Sequence, residues 1–289
     1  MRTLRTLTVA AAFVAAAFTG LAVGPTPVDA QIGAIGGAPG GVVGATDITT
    51  RAPVFTESAL TLPAGTWTVS ALMGVTGGGI TAVGQTFDYT VTQVLLGAYY
   101  GVTDRLLIGA TIFPYAGVEV EALGFTEEET GHGDATAYAK FQAFSSADGR
   151  TSAAAIGTLG VPLGDDNFGA QGVVLGLAGI MSHALDRVSM HAGAGVSIPT
   201  DDLDGNSVVS FTGAAVYAAR PNISLALELL GTTVSTDFDR FTSIELAPGA
   251  RFRVGTNVFI NGGLQFNVSS SPFDAPYDYA VLLGVSLSR

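Results

Sequence analysis

The single lysine of the chain, Lys140, lies in a segment that alternates polar residues with small or apolar ones, GDATAYAKFQAF over residues 133–144. A period of two is typical of a β-strand with one wet face and one dry face. If the polar face is enclosed, the ammonium group needs a carboxylate partner, because an unpaired buried charge is strongly destabilising. Three acidic residues are candidate partners: Asp134, Glu228 and Glu245.

His191 and the nearby Ser189 form the second set of residues that could do chemistry. Hydrolysis by a serine needs a nucleophile, a base and an orienting group in mutual contact. These two residues share one face of one predicted strand, and the chain contains no G-x-S-x-G or H-E-x-x-H motif. An enzyme is therefore not predicted, and it would require a serine or aspartate brought beside His191 from another strand.

Carboxylates cluster in the run DDLDGN, residues 201–206, and such clusters can be ligands for calcium. The full spacing of a calcium loop is absent, so a solvated external turn is the favoured interpretation. The chain has no cysteine, which excludes thiolate metal sites and cysteine catalysis and fits an envelope protein without disulfides. Neither a metal nor a cofactor is predicted.

Bulk composition indicates a membrane protein rather than a soluble domain. Charged residues make up 12% of the chain, against about 25% in soluble domains, while 48% of residues are hydrophobic and the mean hydropathy is +0.45. After residue 30, no segment approaches the ~20 continuous apolar residues of a membrane helix. A chain that is hydrophobic on average but polar at every second position is what a membrane β-barrel requires.

Residues 1–30 have the features of a secretion signal peptide. Arg2 and Arg5 form a basic start, TVAAAFVAAAFTGLAV forms an apolar core, and the residues ending at Ala30 form a cleavage site before Gln31. Removing Arg2, Arg5 and Asp29 from 12 basic and 24 acidic residues leaves 10 and 23, a net charge of −13. Nucleic acid is not predicted as a partner, because phosphate binding needs clustered lysine and arginine.

Strand-like segments of about 12 residues recur from residue 65 to the C-terminus, each bounded by turn residues. Each is long enough for the ~9–11 tilted residues that cross a bilayer. The predicted fold class is all-β: a transmembrane antiparallel up-and-down β-barrel of about 12 strands over residues 65–289. The predicted strands are 65–76, 88–101, 105–118, 133–144, 151–163, 170–183, 187–199, 207–219, 222–234, 241–253, 257–269 and 277–288.

The predicted connections alternate in length, which favours short periplasmic turns and longer external loops. Short turns are expected at 102–104, 145–149, 184–186, 220–222 and 255–256. Longer linkers are expected at 77–87, 119–132, 164–169, 200–206, 235–240 and 270–276. Acidic residues concentrate in the longer linkers, whereas arginines such as Arg150 and Arg220 lie at the short turns. The barrel is therefore expected to be acidic on its outer side and basic on its periplasmic side.

Polar and apolar residues occupy opposite parities in several predicted strands, and a membrane barrel shows the apolar parity to lipid and encloses the polar one. The lumen of the barrel is therefore predicted to be the water-facing side of each strand. The predicted lumen lining is Asp134, Tyr138, Lys140, Gln142, Arg187, His191, Glu228, Glu245, Arg251, Asn261 and Gln265. Aromatic residues on the apolar parity are predicted to form interfacial girdles: Trp67, Phe141, Tyr217, Phe252, Tyr277 and Tyr279.

Residues 31–64 form a Gly-rich segment with weak patterning between the signal peptide and the first strand. Such a segment suits a disordered periplasmic tail. It could instead fold into the lumen and obstruct it. The sequence leaves both alternatives open, with a partly ordered tail favoured.

Several stretches together resemble the outer-membrane family named for the meta-pathway of phenol degradation. They are LPAGTWTVSALMG (62–74), GVTDRLLIGATIFPY (101–115), GDATAYAKFQAF (133–144), LGVPLGDDNFG (159–169), SIPTDDLDG (197–205) and the ending LLGVSLSR. The resemblance covers about residues 60–289. It implies a transporter-like outer-membrane barrel through which a solute or a hydrophobic molecule passes.

Two functions from different classes fit these observations. The first is an outer-membrane channel or transporter that admits a small solute, with an aromatic or hydrophobic solute as one option, through a polar lumen. The alternative is a non-conducting structural envelope barrel whose lumen is closed by side-chain salt bridges. In both cases the expected location is the cell outer membrane, after signal-peptide removal near Ala30. The expected partners are outer-membrane lipid, lipopolysaccharide and the barrel assembly machinery.

Overall fold

The structure is a computed structural model that describes residues 51–82, 85–122, 125–165, 167–170, 172–200, 207–235, 240–269 and 278–289. The predicted signal peptide at 1–30, the Gly-rich residues 31–50 and the acidic run at 201–206 lie outside the described residues. Within the described residues, no helix is long and apolar enough to cross a membrane.

Thirteen strands form one antiparallel sheet in the described part of the chain. They are β1 (Trp67–Ala82), β2 (Gln85–Thr103), β3 (Leu106–Ala122), β4 (Phe125–Gly131), β5 (Ala135–Ser145), β6 (Thr151–Val161), β7 (Val174–Ala184), β8 (Val188–Pro199), β9 (Ser207–Arg220), β10 (Ile223–Ser235), β11 (Arg240–Val254), β12 (Val258–Asn267) and β13 (Tyr279–Ser288).

The sheet closes into a barrel because β1 pairs with both β2 and β13. The closing ladder runs from Thr68 opposite Ser288 to Gly77 opposite Tyr279. Twelve strands form the wall, and β4 is an extra strand that pairs with the outer half of β3. The all-β up-and-down barrel predicted from the sequence is confirmed, with β4 added to the twelve predicted strands.

The predictions of external linkers at 77–87 and 119–132 are wrong, because most of these residues belong to strands. The β1–β2 ladder extends to Ala82 opposite Gln85, and the β3–β4 ladder extends to Ala122 opposite Phe125. An antiparallel pair can lengthen by adding backbone hydrogen bonds on both strands, so a hairpin need not stop at the edge of the membrane. With 16, 19 and 17 residues, β1, β2 and β3 are longer than a bilayer crossing requires.

Short turns join the strands at one end of the barrel, as predicted. They comprise residues 104–105, 146–150, 185–187, 221–222 and 255–257. The first residue of β1 and the C-terminal Arg289 lie at the same end, because Trp67 and Arg289 exchange two backbone hydrogen bonds of 2.9 Å. In an outer-membrane barrel this is the periplasmic end.

The outer face of the wall is apolar. Leu177 is 67% exposed, Leu283 61% and Met181 57%, and similar residues follow the outward parity of the other strands. A soluble monomer rarely exposes so large an apolar surface, so lipid is the matching environment. Four of the predicted girdle aromatics are exposed on this face, namely Phe141, Tyr217, Phe252 and Tyr279, and Trp67 is half-buried. Tyr277 lies outside the described residues.

The inner face of the wall is mixed rather than purely polar. Buried leucines and aromatic residues alternate along the wall with buried serines, amides and charges. The prediction of a polar lumen missed them because leucine occurs on both parities, as at the buried Leu282 and the exposed Leu283. Apolar side chains can fill part of a barrel interior without needing hydrogen-bond partners.

We expect Leu227→Arg to destabilise the folded barrel by about 2–4 kcal/mol, because Leu227 faces outward in the middle of β10 and the guanidinium group would lie at membrane depth. Urea titration of the protein folded into lipid vesicles measures the change in the free energy of unfolding. The matched control is Asn222→Arg in the exposed β9–β10 turn, which should be nearly neutral. Equal effects of the two changes would contradict the placement of Leu227 in the membrane.

Candidate functional site in the barrel interior

Residues 51–64, which we call the plug, lie inside the periplasmic end of the barrel. Residues 52–59 are all buried although they belong to no helix or strand. At one end, the Arg51 guanidinium donates hydrogen bonds to the carbonyls of Leu185 (3.3 Å) and Asp186 (2.7 Å) in the β7–β8 turn. At the other end, Thr61 and Ala64 donate to Asp104 in the β2–β3 turn. The plug therefore enters the lumen and returns to the same opening.

Glu228 on β10 holds the middle of the plug. Its carboxylate accepts backbone N–H bonds from Val54 at 2.5 Å, from Phe55 at 3.0 and 3.1 Å, and from Thr56 at 2.7 Å. Consecutive N–H groups that converge on one anion form a favourable binding geometry, and bonds to a charged acceptor are the stronger kind. The wall carboxylate therefore binds the plug through its main chain, whatever the side chains of these three residues.

Lys140 on β5 forms a buried ion pair with the plug. Its Nζ lies 2.9 Å from Glu57 Oε2 and also donates to the Ser58 carbonyl at 3.0 Å. The side chains are 0% and 2% exposed. The sequence predicted wall carboxylates as candidate partners for Lys140, but this ion pair takes its carboxylate from the plug. Strand parity could not have identified Glu57, because that residue lies outside the strands.

Ser182, His191 and Ser189 form a hydrogen-bond network that binds the plug at two places, Ala59 and Arg51. Ala59 N–H donates to Ser182 Oγ at 2.8 Å, and Ser189 Oγ donates to the Arg51 carbonyl at 2.9 Å. His191 joins the two hydroxyls, with Nδ1 2.8 Å from Ser182 and Nε2 3.1 Å from Ser189. Because Ser189 gives its proton to Arg51, the network assigns the proton of the imidazole to Nε2 and leaves Nδ1 to accept from Ser182.

This network bears on the enzyme alternative. Ser182 comes from β7, so a serine from another strand does lie beside His191, as that alternative requires. Both hydroxyls, however, bond to the main chain of the plug. The geometry therefore assigns the three side chains to holding the plug, and nothing in it supports catalysis.

Two glycines of the wall form a notch for the apolar part of the plug. Gly249 on β11 and Gly263 on β12 are register partners and face the interior. A Cβ at Gly263 would overlap the Phe55 ring, and one at Gly249 would lie 3.0 Å from the Val54 side chain. Both positions therefore lack side chains where Val54 and Phe55 pack closely against the wall.

Apolar side chains surround the plug in two clusters. One contains Val54 and Phe55 together with wall residues Leu72, Leu95, Phe113, Val216, Ala226, Leu230, Ala247 and Leu282. The other contains Ala59 and Leu62 together with wall residues Tyr99, Leu107, Tyr138, Ala154, Ile156 and Ile180. Tyr99 and Tyr138 meet edge to face, with ring centroids 5.8 Å apart. The lumen thus offers both polar groups and two areas of apolar surface.

The other predicted lining residues hold the wall or its connections. Asp134 accepts N–H bonds from Leu163 (3.0 Å), Gly164 (2.8 Å) and Ala170 (2.6 Å), so it fastens the β6–β7 connection at the outer end. Within that connection, Phe168 is buried close to Gly131 and Gly133. Asp134 therefore shapes the outer mouth of the barrel rather than the ion pair of Lys140.

Glu245 accepts hydrogen bonds from Ser243 and Gln265, all three buried within the wall. Arg251 lies over the Phe259 ring, 4.4 Å from its centroid, in a cation–π contact. Asn261 and Tyr138 are buried, and Gln142 is half-buried at a β-bulge. Arg187 is the exception, because it is exposed in the turn before β8.

Sequence reasoning missed Glu57, Ser182, the glycine notch and a buried amide on β2. Gln93 is 2% exposed, and neither its Oε1 nor its Nε2 has a hydrogen-bond partner among the described residues. Gln93 follows the inward parity of β2, which was a usable signal. No sequence pattern distinguished the two glycines of the notch, because the chain contains 39 glycines spread along its length.

Comparison with known families supports this architecture. The model of the family described as the MetA-pathway of phenol degradation matches residues 50–288. This chain belongs to that family. The match begins next to Arg51, so it includes the plug as well as the wall. The resemblance inferred from the sequence is confirmed. No curated protein matches the chain.

Solved structures share the fold of this member of the phenol-degradation family. The COG4313 outer membrane channel from Pseudomonas putida F1 has 15% identity and a TM-score of 0.66, over 80% of this chain and 98% of that one. The translocator domain of autotransporter NalP from Neisseria meningitidis has 10% identity and a TM-score of 0.52, over 78% and 89%. The NanC porin has 11% identity and a TM-score of 0.51, over 75% and 98%. The fold is therefore that of an outer-membrane barrel.

We expect Lys140→Gln to release the plug. Removing one partner of a buried ion pair costs about 3–5 kcal/mol, because the other charge stays buried without compensation. The chain has no cysteine, so Ala59→Cys supplies a unique thiol at a buried plug position. Adding Lys140→Gln should raise the rate at which a water-soluble thiol reagent modifies this introduced thiol by at least about 100-fold.

The control for this prediction is Arg253→Gln, which removes an exposed positive charge near the β11–β12 turn. It should leave the labelling rate of the thiol at position 59 unchanged. A labelling rate that is equally low with Lys140→Gln would show that the ion pair does not hold the plug in place.

Proposed function

We propose that this protein is an outer-membrane channel or transporter that admits a small apolar or aromatic solute through its lumen when the plug is displaced. One observation carries the proposal: the periplasmic end of the lumen is filled by a separate segment, held by hydrogen bonds and an ion pair that can break reversibly. A segment bound in this way can leave without disturbing the backbone ladder of the wall.

The chemistry of the inner wall supports an apolar solute. The two apolar clusters lose Val54, Phe55, Ala59 and Leu62 when the plug leaves, which uncovers leucine, isoleucine and tyrosine side chains on the wall. Exposing such apolar surface to water costs a free energy of about 25 cal/mol per Å². A solute with an apolar body would replace the lost contacts.

The comparisons lend further support. The family name refers to phenol degradation, and the solved structure from Pseudomonas putida F1 is described as an outer membrane channel. The first description names the degradation of an aromatic compound, and the second names a channel. In this proposal the buried polar residues of the wall, including Lys140 and Glu228, form the selective part of the lumen.

The structural-envelope alternative also predicts a closed lumen, in which side-chain salt bridges provide the closure. The buried pair of Lys140 and Glu57 joins the wall to the plug, a segment outside the strands. Because that segment can leave while the wall stays intact, we favour a channel with a removable occlusion. Lipopolysaccharide and the assembly machinery stay predicted partners of either kind of barrel.

A reversible cross-link tests the proposal on the full mature chain. Ala59 N–H bonds directly to the Ser182 side chain, so cysteines at both positions are placed to form a disulfide between the plug and β7. In a planar bilayer, the oxidised double variant should show no conductance steps, and adding a reductant should restore steps matching those of the two single variants. The single variants Ala59→Cys and Ser182→Cys control for the substitutions themselves.

The outcomes separate the alternatives. Equal conductance of the oxidised and reduced double variant would mean that the barrel is a channel but that the plug does not gate it. Silence of the reduced double variant and of Lys140→Gln, which is expected to release the plug, would overturn the channel proposal in favour of the structural barrel, provided that heat-modifiable gel migration verifies the folded state.

A further inference from the structure

Lys140 lies in an apolar part of the wall. Its register neighbours are Leu107 on β3 and Ile156 on β6, both buried. Tyr138, two residues away on the same face of β5, packs against Tyr99. A single cation inside an apolar wall is an arrangement that matches a molecule with one negative group and an apolar body.

The carboxylate bound at Lys140 belongs to the plug and not to the wall. Glu57 brings this charge on the same segment that supplies Ala59 and Leu62 to the apolar cluster. The plug thus presents to this part of the wall one carboxylate and, beside it, a short apolar stretch. These are the chemical features of an amphiphilic monocarboxylate.

The other buried charges of the wall are bound differently. Glu228 accepts neutral backbone N–H groups, Glu245 accepts from Ser243 and Gln265, and Arg251 lies over Phe259. Glu245 and Arg251 therefore have partners on the wall itself and keep them when the plug moves. Lys140, in contrast, is a wall cation that binds a carboxylate of the plug.

From these contacts we infer that Lys140, with Leu107, Tyr138 and Ile156, forms a binding site for the carboxylate of an apolar monocarboxylate, which competes with Glu57 for the ammonium group. The inference rests on the proposed function and narrows its solute class. A solute bound at this site displaces the ion pair that holds the plug, so the arrival of the solute and the opening of the lumen are coupled.

The test measures equilibrium binding of radiolabelled 4-phenylbutyrate to the full mature chain in detergent. The neutral 4-phenylbutyramide, which has the same apolar body, is the matched ligand. The carboxylate should bind at least about 10-fold more tightly than the amide. Lys140→Gln should abolish this preference, and Lys140→Arg should retain it because the positive charge is kept.

Glu57→Gln gives the decisive comparison, because it removes the internal competitor and leaves Lys140 in place. It should tighten the binding of 4-phenylbutyrate by at least about 10-fold more than it tightens the binding of the amide, because the amide gains only from release of the plug. A merely structural role of the ion pair predicts an equal gain for the two ligands. Heat-modifiable gel migration verifies that each variant is folded.

Equal binding of the acid and the amide, or an acid preference that survives Lys140→Gln, would overturn the inference. Weaker binding of the acid in Glu57→Gln would also overturn it. The proposed function fails separately, through the absence of conductance in the cross-linking experiment. A channel without acid preference would refute only this inference, whereas acid binding without conductance would refute only the channel.

Discussion

The constraint on which the rest of the structure depends is that every backbone N–H and C=O group within a bilayer must have a hydrogen-bond partner inside the protein. The ladder between β1 and β13 meets it, because it leaves no open edge in the wall. Closure forces each strand to show one parity to lipid and the other to the interior. The apolar outer face and the enclosed Lys140 are both consequences of that closure.

A closed wall of twelve strands creates an interior that must be filled, and here a segment of the same chain fills its periplasmic end. The plug has few backbone groups bonded to one another, so the wall supplies partners for them. Glu228 accepts hydrogen bonds from consecutive N–H groups. The network of Ser182, His191 and Ser189 binds the N–H group of Ala59 and the carbonyl of Arg51. Polar residues that resemble a channel lining are thus engaged in binding a polypeptide. In the proposed channel, the same side chains become available to a solute once the plug leaves.

Expectations from the sequence were most accurate where a local period carried the information. Alternation in residues 133–144 predicted the strand that became β5, and turn residues predicted the short connections at one end. Residues 119–132 show where this reasoning fails. Glutamates and glycines suggested a loop, but the segment extends β3 and forms β4, because pairing with a neighbouring strand overrides weak local propensity.

The sequence alone determined the barrel, the membrane environment and the inward parity of residues such as Lys140, because a period of two is a local property and a membrane sheet must close to leave no unpaired edge. Only the tertiary structure decided which groups meet inside. Lys140 pairs with Glu57 at a separation of 83 residues, and Glu228 binds N–H groups at separations of 172 to 174 residues. Such pairings depend on how the plug crosses the lumen, and that path follows from packing against Gly249 and Gly263, which no local pattern encodes.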